Sequence, residues 1–218
     1  MSEFYATLLD ATQAARATFM QTEQLQRGAR GTISRDTYVA FLTQAYHHVK
    51  HTVPLLMGCG SRLDESLEWL REAVGEYIEE EMGHQEWILN DIQACGGDAE
   101  AVRRSLPNAA TELMVAYAYD TVQRNNPVGF FGMVLVLEGT SVQLATHAAG
   151  AIQTALGLPD QAFSYLRSHG TLDEKHIQSY RVLMNRLSRP TDQQAVMHCA
   201  RLFYQLYGDV FRSLPLDA

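Results

Sequence analysis

Helical periodicity is the feature that most constrains how this chain can fold. Apolar residues recur at three- and four-residue spacing over nearly the whole sequence, and no segment shows a convincing strand pattern. The six prolines lie mostly at joints between the periodic segments. We therefore expect an all-α helical bundle that forms a single domain over residues 1–218. The predicted helices span residues 3–27, 34–59, 64–95, 107–124, 127–156, 160–169, 171–188 and 191–213.

Several predicted helix ends carry chemical markers. Ser34 and Asp64 are suitable N-cap residues, and Pro127 suits the first turn of a helix. Residues 171–174 (TLDE) have the form of a capping box, and Gly170 precedes them. We therefore predict that one helix ends before Gly170 and another begins after it.

Charge and cysteine usage exclude several classes of function. The chain has 17 Lys and Arg against 25 Asp and Glu, a net charge of −8, so it lacks the basic field that nucleic acid requires. Cys59, Cys95 and Cys199 form no CxxC pair, which favours a reducing, cytoplasmic location. The N-terminus does not resemble a signal peptide, and the apolar run 128–137 is too short to span a bilayer. We expect neither nucleic acid nor a membrane as partner.

Charged residues on apolar helix faces are the candidates for function. In the predicted 64–95 helix, the apolar stripe continues at the positions of Glu81 and His84. A carboxylate and an imidazole three residues apart lie on one helix face, as in di-iron bundles, so both can reach one metal. The neighbouring acidic residues are interpreted as solvated surface. They are Glu76, Glu79, Glu80 and Glu86.

The second anomaly is Glu138, the only formally charged residue between Asn125 and Pro159. It continues the apolar face of Phe131 and Leu135. Burying an unpaired carboxylate costs several kcal/mol or forces its protonation, so Glu138 needs a partner. The partner is either a metal ion or a Tyr, Ser or Arg side chain that donates a hydrogen bond.

The third anomaly is the segment that contains His169, Asp173 and His176. Asp173 and His176 repeat the carboxylate-x-x-His spacing in a helix whose inward side continues through Tyr180. His169 can turn toward the same point. The alternative assigns Asp173 to the helix dipole and leaves both imidazoles hydrogen-bonded or exposed.

Together these anomalies supply three carboxylates and three imidazoles from three regions of the predicted bundle. Three negative charges roughly balance two divalent ions, and coordination positions remain for water, dioxygen or substrate. Nitrogen and oxygen donors without thiolate suit iron or manganese. We therefore predict a redox site with two Fe(II) ions, with manganese or a single iron as alternatives. The predicted ligands are Glu81, His84, Glu138, His169, Asp173 and His176.

At these residues the chain resembles the heme-oxygenase-like di-iron oxidases, a group within the heme-oxygenase/TenA/PqqC fold that includes UndA-type fatty-acid decarboxylases and CADD-type p-aminobenzoate synthases. The strongest element is residues 169–176, which match HxxxDxxH, followed by Glu138 in LEGTS and by Glu81. Some members place six residues between the first glutamate and histidine. Here Tyr77 lies seven before His84, so only the short ExxH of the UndA type is present.

The resemblance implies a seven-helix-like bundle, iron-ligand roles for the matching residues and, in many members, a homodimer. It also implies an oxidoreductase in which two Fe(II) ions reduce O₂ to oxidise a small organic acid, amino acid or fatty-acid-like substrate. The expected partners are therefore that small molecule and O₂. A basic pocket, which the PqqC-type oxidases would use for a polyanionic substrate, is not indicated by this acidic chain.

A substrate pocket is expected beside the metal. Phe131 and Val134 precede Glu138 and are candidates to line this pocket. On the second predicted helix, His47 and His51 lie at i and i+4 and share a face that excludes His48. We expect one of these histidines to face the cavity as a polar group rather than as a metal ligand.

Other members of the same fold class fit less well. A heme oxygenase takes its iron-binding histidine from the first helix, and no histidine precedes His47. A TenA-type hydrolase needs a cysteine in the central helix, where this chain has none. The alternative that remains is a TenA/PqqC-like protein without a redox metal. Such a protein is a ligand-binding regulator or a cofactor-free enzyme.

Overall fold

The computed structural model describes residues 3–216 and, within that range, every side chain outside residues 169–175. This part of the chain is helical throughout and contains no strand, which confirms the all-α prediction. Eleven α-helices form in the described residues. They are α1 (Phe4–Met20), α2 (Glu23–Arg30), α3 (Arg35–Val49), α4 (Thr52–Arg62), α5 (Glu68–Glu81), α6 (His84–Ala94), α7 (Ala99–Arg104), α8 (Ala109–Arg124), α9 (Phe131–Leu156), α10 (Ser164–Arg186) and α11 (Pro190–Arg212).

The 26-residue α9 lies at the centre of the packing and contacts α2, α10 and α11. Its Phe131 is fully buried together with Tyr180 of α10 and Phe203 of α11. Gly132 allows α9 and α11 to approach closely, because a Cβ at this position would lie 2.5 Å from the backbone nitrogen of Ala200. The central helix therefore carries Glu138 into the interior of the bundle.

The same region is the most apolar part of the chain. By length and composition, Pro127–Leu156 is the one helical segment of the described residues that could cross a membrane. However, 67% of its most apolar window is buried inside the protein. The apolar segment is therefore longer than the ten-residue run noted in the sequence, and most of its apolar window is covered by the protein itself.

The first three predicted helices are each divided in two. Thr22 adopts an extended conformation and separates α1 from α2. The break between α3 and α4 falls at Lys50 and His51, three residues before Pro54, which fits a first helical turn but cannot continue the hydrogen-bond ladder of α3. Between α5 and α6, Gly83 adopts the left-handed conformation with φ +94°.

The predicted break at Gly170 is wrong. Residues 164–186 form one continuous helix, α10, so residues 171–174 lie inside the helix and do not cap a new one. A single glycine inside a helix costs only about 1 kcal/mol relative to alanine. Burial of Tyr180, Leu183 and Met184 along α10 outweighs that cost.

Two predicted caps are confirmed, and the third marker also starts a helix. Ser34 accepts a hydrogen bond from the backbone N–H of Thr37 at the start of α3, at 3.1 Å. Asp64 accepts one from the backbone N–H of Ser66, at 3.0 Å, and caps a 3₁₀ turn that precedes α5. Pro127 begins a 3₁₀ turn that leads into α9. The short helix α7 was not predicted.

Candidate metal centre and adjoining cavity

Four of the six predicted ligands have described side chains. Glu81 is the last residue of α5, His84 is the first residue of α6, Glu138 lies in the middle of α9, and His176 lies in α10. The other two predicted ligands, His169 and Asp173, lie outside the described side chains.

Glu81 and His84 meet across a helix break rather than on one helix face. The prediction that a continuous helix brings them together is wrong, because α5 ends at Glu81 and Gly83 redirects the chain. The Oε2 atom of Glu81 nevertheless lies 3.0 Å from Nδ1 of His84. His84 is 2% exposed, and its ring stacks on Trp87 with centroids 4.0 Å apart. The two side chains form a buried carboxylate–imidazole pair.

His176 lies between two glutamates. Its Nδ1 is 3.6 Å from Oε1 of Glu138, and its Nε2 is 2.8 Å from Oε2 of Glu80. Glu138 is 8% exposed, as expected for a residue of the central helix, whereas the side chain of Glu80 is 51% exposed. The interpretation of Glu80 as solvated surface alone is therefore incomplete. Sequence offered no signal for this contact, because the partner histidine comes from a distant helix.

Tyr77 links the two pairs in space. Its ring centroid is 5.5 Å from that of His176, and its side chain lines a cavity together with Glu81 and Glu138. Tyr180, whose hydroxyl donates to the carbonyl of Phe131 at 2.7 Å, lies near enough to Glu138 to feel its charge. Burial and the neighbouring charge of Glu138 raise the pKa of Tyr180 well above its ordinary value, so Tyr180 stays a neutral donor.

The cavity beside these residues has a volume of about 150 Å³ and is lined mainly by apolar side chains of α2, α3, α9 and α11. Val134 lines it, as predicted. Phe131 does not: its side chain is fully buried in the core, whereas its neighbours Phe130 and Met133 line the cavity. Apolar contact therefore dominates what this cavity offers a ligand.

Among the described side chains, the histidine that lines the cavity is His48, not His47 or His51. The i, i+4 argument fails because α3 ends at Val49, so His51 belongs to the following turn. A signal was available in the sequence, since Thr37, Phe41 and His48 lie at i, i+4 and i+11 on one face of α3, and all three line the cavity.

His47 and His51 bind neighbouring hydroxyl groups instead. Nε2 of His47 is 2.9 Å from Oγ of Ser105, and Nδ1 of His51 is 3.0 Å from the hydroxyl of Tyr119. Burial, with Lys50 and His51 nearby, lowers the pKa of His47 to about 4. Burial and Lys50 also lower the pKa of His51. Both imidazoles are therefore neutral near pH 7.

The three cysteines are buried, and their thiols stay protonated near pH 7. Burial raises the pKa of Cys59 to about 12 and that of Cys95 to about 11, and it also raises the pKa of Cys199. Because the thiolate is the nucleophile and the soft metal ligand, none of these side chains is activated for either role.

The described donors fit iron in their chemistry. Carboxylate oxygens and imidazole nitrogens, with no thiolate among them, are typical of iron or manganese sites. Among the described side chains, no three His, Cys, Asp or Glu residues are arranged as a ready metal-ion site. The carboxylate–imidazole contacts of Glu81 with His84, and of Glu138 with His176, are the two halves from which such a site would be built.

Comparison with known proteins gives a family and a fold. A family model described as iron-containing redox enzyme matches residues 39–208. No curated protein matches the chain. A domain of unknown function with a heme oxygenase-like fold from Shewanella denitrificans has 22% identity and a TM-score of 0.84, and the match covers 96% of this chain and 91% of that one.

Two further solved structures share the fold. A TenA homologue from Pseudomonas syringae has 11% identity and a TM-score of 0.81, with 97% of this chain and 92% of that chain covered. Heme oxygenase-1 from Synechocystis, solved in complex with heme, has 12% identity and a TM-score of 0.77, with 97% and 92% covered. At these identities the comparison establishes the heme oxygenase-like, TenA-like fold and nothing finer.

Proposed function

Because the chain belongs to the family of iron-containing redox enzymes, we propose that it is a non-heme di-iron oxidase that uses O₂ to oxidise a small organic substrate. The observation that carries the proposal is the placement of Glu138. This carboxylate is 8% exposed on the apolar central helix, lies 3.6 Å from the imidazole of His176 and lines the same cavity as Glu81.

The charges of the site favour cations. Glu81 and Glu138 bring two carboxylates into the interior, and burying such charge is costly unless it is compensated. His84 and His176 would be the nitrogen donors that, together with these carboxylates, hold divalent iron, and the charge of the iron would supply that compensation. When bound, iron would supply the electrons that reduce O₂.

The cavity and His48 bind and orient the substrate. The apolar cavity binds the carbon skeleton of the substrate and excludes water. The substrate then lies beside Glu81 and Glu138. His48 is the imidazole on the cavity wall, and its ring packs edge-on against Tyr207 with centroids 5.9 Å apart. His48 can therefore donate or accept a hydrogen bond at the polar end of a substrate. Small organic acids, amino acids and fatty-acid-like molecules are the substrate classes to test.

A second candidate function is supported by the same contacts. Glu81 pairs with His84, and Glu80 pairs with His176, at hydrogen-bonding distance. The imidazole N–H groups would satisfy these carboxylates without any metal. The apolar cavity would then belong to a ligand-binding regulator or a cofactor-free enzyme.

Anaerobic titration with Fe(II) distinguishes the two candidates. We expect the wild-type protein to bind two equivalents of iron and then to show an oxygen-dependent optical change and O₂ consumption with its substrate. Screening fatty acids and amino acids for O₂ uptake by the iron-loaded protein would identify the substrate class. Failure to retain iron, with ligand binding in the cavity unaffected by metal, would reject the oxidase in favour of the second candidate.

A further inference from the structure

Glu80 holds a position that the proposed ligand set leaves unexplained. Its Oε2 atom is 2.8 Å from Nε2 of His176, while Nδ1 of the same ring faces Glu138 at 3.6 Å. Glu80 is half exposed, and Glu138 is buried. The imidazole of His176 thus stands between an outer carboxylate and an inner one.

The position of Glu80 on α5 is specific within its acidic run. Tyr77, Glu80 and Glu81 lie at i, i+3 and i+4 and share one face of the helix. Tyr77 contacts the ring of His176, and Glu81 lines the cavity. Glu79 lies on a different face and is exposed. Of the two adjacent glutamates before Glu81, only Glu80 therefore faces the site.

A neutral imidazole has one N–H and one lone pair, and the acceptor of the N–H decides which nitrogen keeps the lone pair. Histidines that bind metals typically donate their other ring N–H to a carboxylate, which fixes the tautomer and orients the ring. Glu80 is an acceptor of this kind at Nε2. The nitrogen that remains for a metal is Nδ1, on the side of Glu138.

We propose that Glu80 is a positioning residue of the metal centre, which accepts the Nε2–H of His176 and thereby presents Nδ1 as the metal-binding nitrogen. This inference rests on the proposed function, since it assigns a role relative to bound iron. Glu80 itself does not bind the iron. Replacing Glu80 therefore affects iron binding through the orientation and tautomer of His176.

The first test is Fe(II) affinity, measured anaerobically by competition with a chromophoric chelator. The variants are Glu80→Ala, Glu80→Gln and the matched control Glu79→Ala. We expect Glu80→Ala to weaken iron binding by about 10–100-fold. Glu80→Gln keeps an acceptor oxygen without the charge, so its loss should be only about fivefold. Glu79→Ala should bind as the wild type does, and circular dichroism confirms that all variants are folded.

The second test reads the tautomer directly. Nitrogen-15 NMR of the histidine-labelled, Zn(II)-loaded protein identifies the His176 signals by their absence in His176→Gln. We expect a protonated Nε2 and a metal-bound Nδ1 in the wild type, with the pattern lost or mixed in Glu80→Ala.

Three results would overturn the inference while leaving the oxidase intact. They are a metal-bound Nε2 in the wild type, wild-type iron affinity in Glu80→Ala, and equal losses in Glu80→Ala and Glu80→Gln, which would make Glu80 a ligand. A wild-type protein that binds no iron would instead overturn both this inference and the proposed function.

Discussion

Two pairs of histidines in this bundle have opposite surroundings. The hydroxyl-bonded pair, His47 and His51, contacts Ser105 and Tyr119. The carboxylate-bonded pair, His84 and His176, contacts glutamates from α5 and α9. His47, His51 and His84 lie at or near helix ends, and His176 lies within α10. The chemical nature of their partners distinguishes the two pairs.

The different partners of the two histidine pairs indicate which pair can bind a metal cation. The ammonium of Lys50 lies 3.2 Å from Nδ1 of His47, so a metal ion at the hydroxyl-bonded pair would meet a positive charge. Glutamates at the carboxylate-bonded pair favour a metal ion, because they supply both charge and oxygen ligands. We therefore expect the first pair to serve folding and the second to serve iron binding.

The largest expected effect comes from removing one carboxylate. Glu138→Gln should weaken Fe(II) binding by at least about 100-fold, because a direct oxygen ligand contributes more than an outer-shell partner. Iron content after anaerobic loading and desalting provides the measurement. The matched control is His47→Gln, which should retain the wild-type iron content. Equal iron loss in both variants would contradict the claim that only the carboxylate-bonded pair belongs to the iron site.

The hydroxyl-bonded pair should be visible instead in the pH dependence of stability. The pKa of His47 is about 4 in the folded protein, against about 6.5 for an unfolded histidine. Between these pH values the unfolded chain binds a proton that the folded chain does not. The contribution of His47 to the free energy of unfolding is therefore fully present above pH 6.5 and is lost as the pH drops toward 4.

Urea unfolding at pH 7.5, 6 and 4.5 measures this loss, which we expect to be about 1–3 kcal/mol for His47. His47→Gln should flatten the profile over that range. His147→Gln, at an exposed position, provides the control for replacing a histidine outside the hydroxyl-bonded pair. A profile that keeps its slope in His47→Gln would contradict the assignment.

A smaller effect is expected at the turn that joins Glu81 to His84. Gly83 has φ +94°, so Gly83→Ala should destabilise the protein by about 1–2 kcal/mol and weaken iron binding by shifting the two ligands. Gly75→Ala is the control, because no atom lies within 4 Å of its added Cβ and alanine suits a helix interior. Thermal unfolding and iron titration of both variants measure the effects. Unchanged stability in Gly83→Ala would contradict the role of this turn.

Much of the fold could be predicted from the sequence because helix periodicity and capping are local. The Ser34 cap is confirmed, and the apolar stripe expected over residues 64–95 is buried, since Leu70, Val74, Ile88 and Ile92 belong to the core. The failures arose where one residue decides the outcome. Gly83 breaks a helix at a positive φ, whereas Gly170, which looks equivalent in sequence, lies inside α10.

The candidate site was predictable only in part, because some of its contacts have no local signal in the sequence. Glu138 and His176 stood out as polar residues on apolar faces, and the structure brings them within 3.6 Å of each other. Glu80 did not stand out, since an exposed glutamate in an acidic run has no local anomaly. His48 was passed over for His47 and His51, because the end of α3 at Val49 changes which side chains share a face.

The most direct test of the account is an anomalous-difference map at the iron absorption edge from crystals of the anaerobically Fe(II)-loaded protein. We predict two iron peaks bounded by Glu81, His84, Glu138 and His176, with Nδ1 of His176 facing the metal. No iron between these side chains, or iron at His47 and His51 instead, would contradict the account.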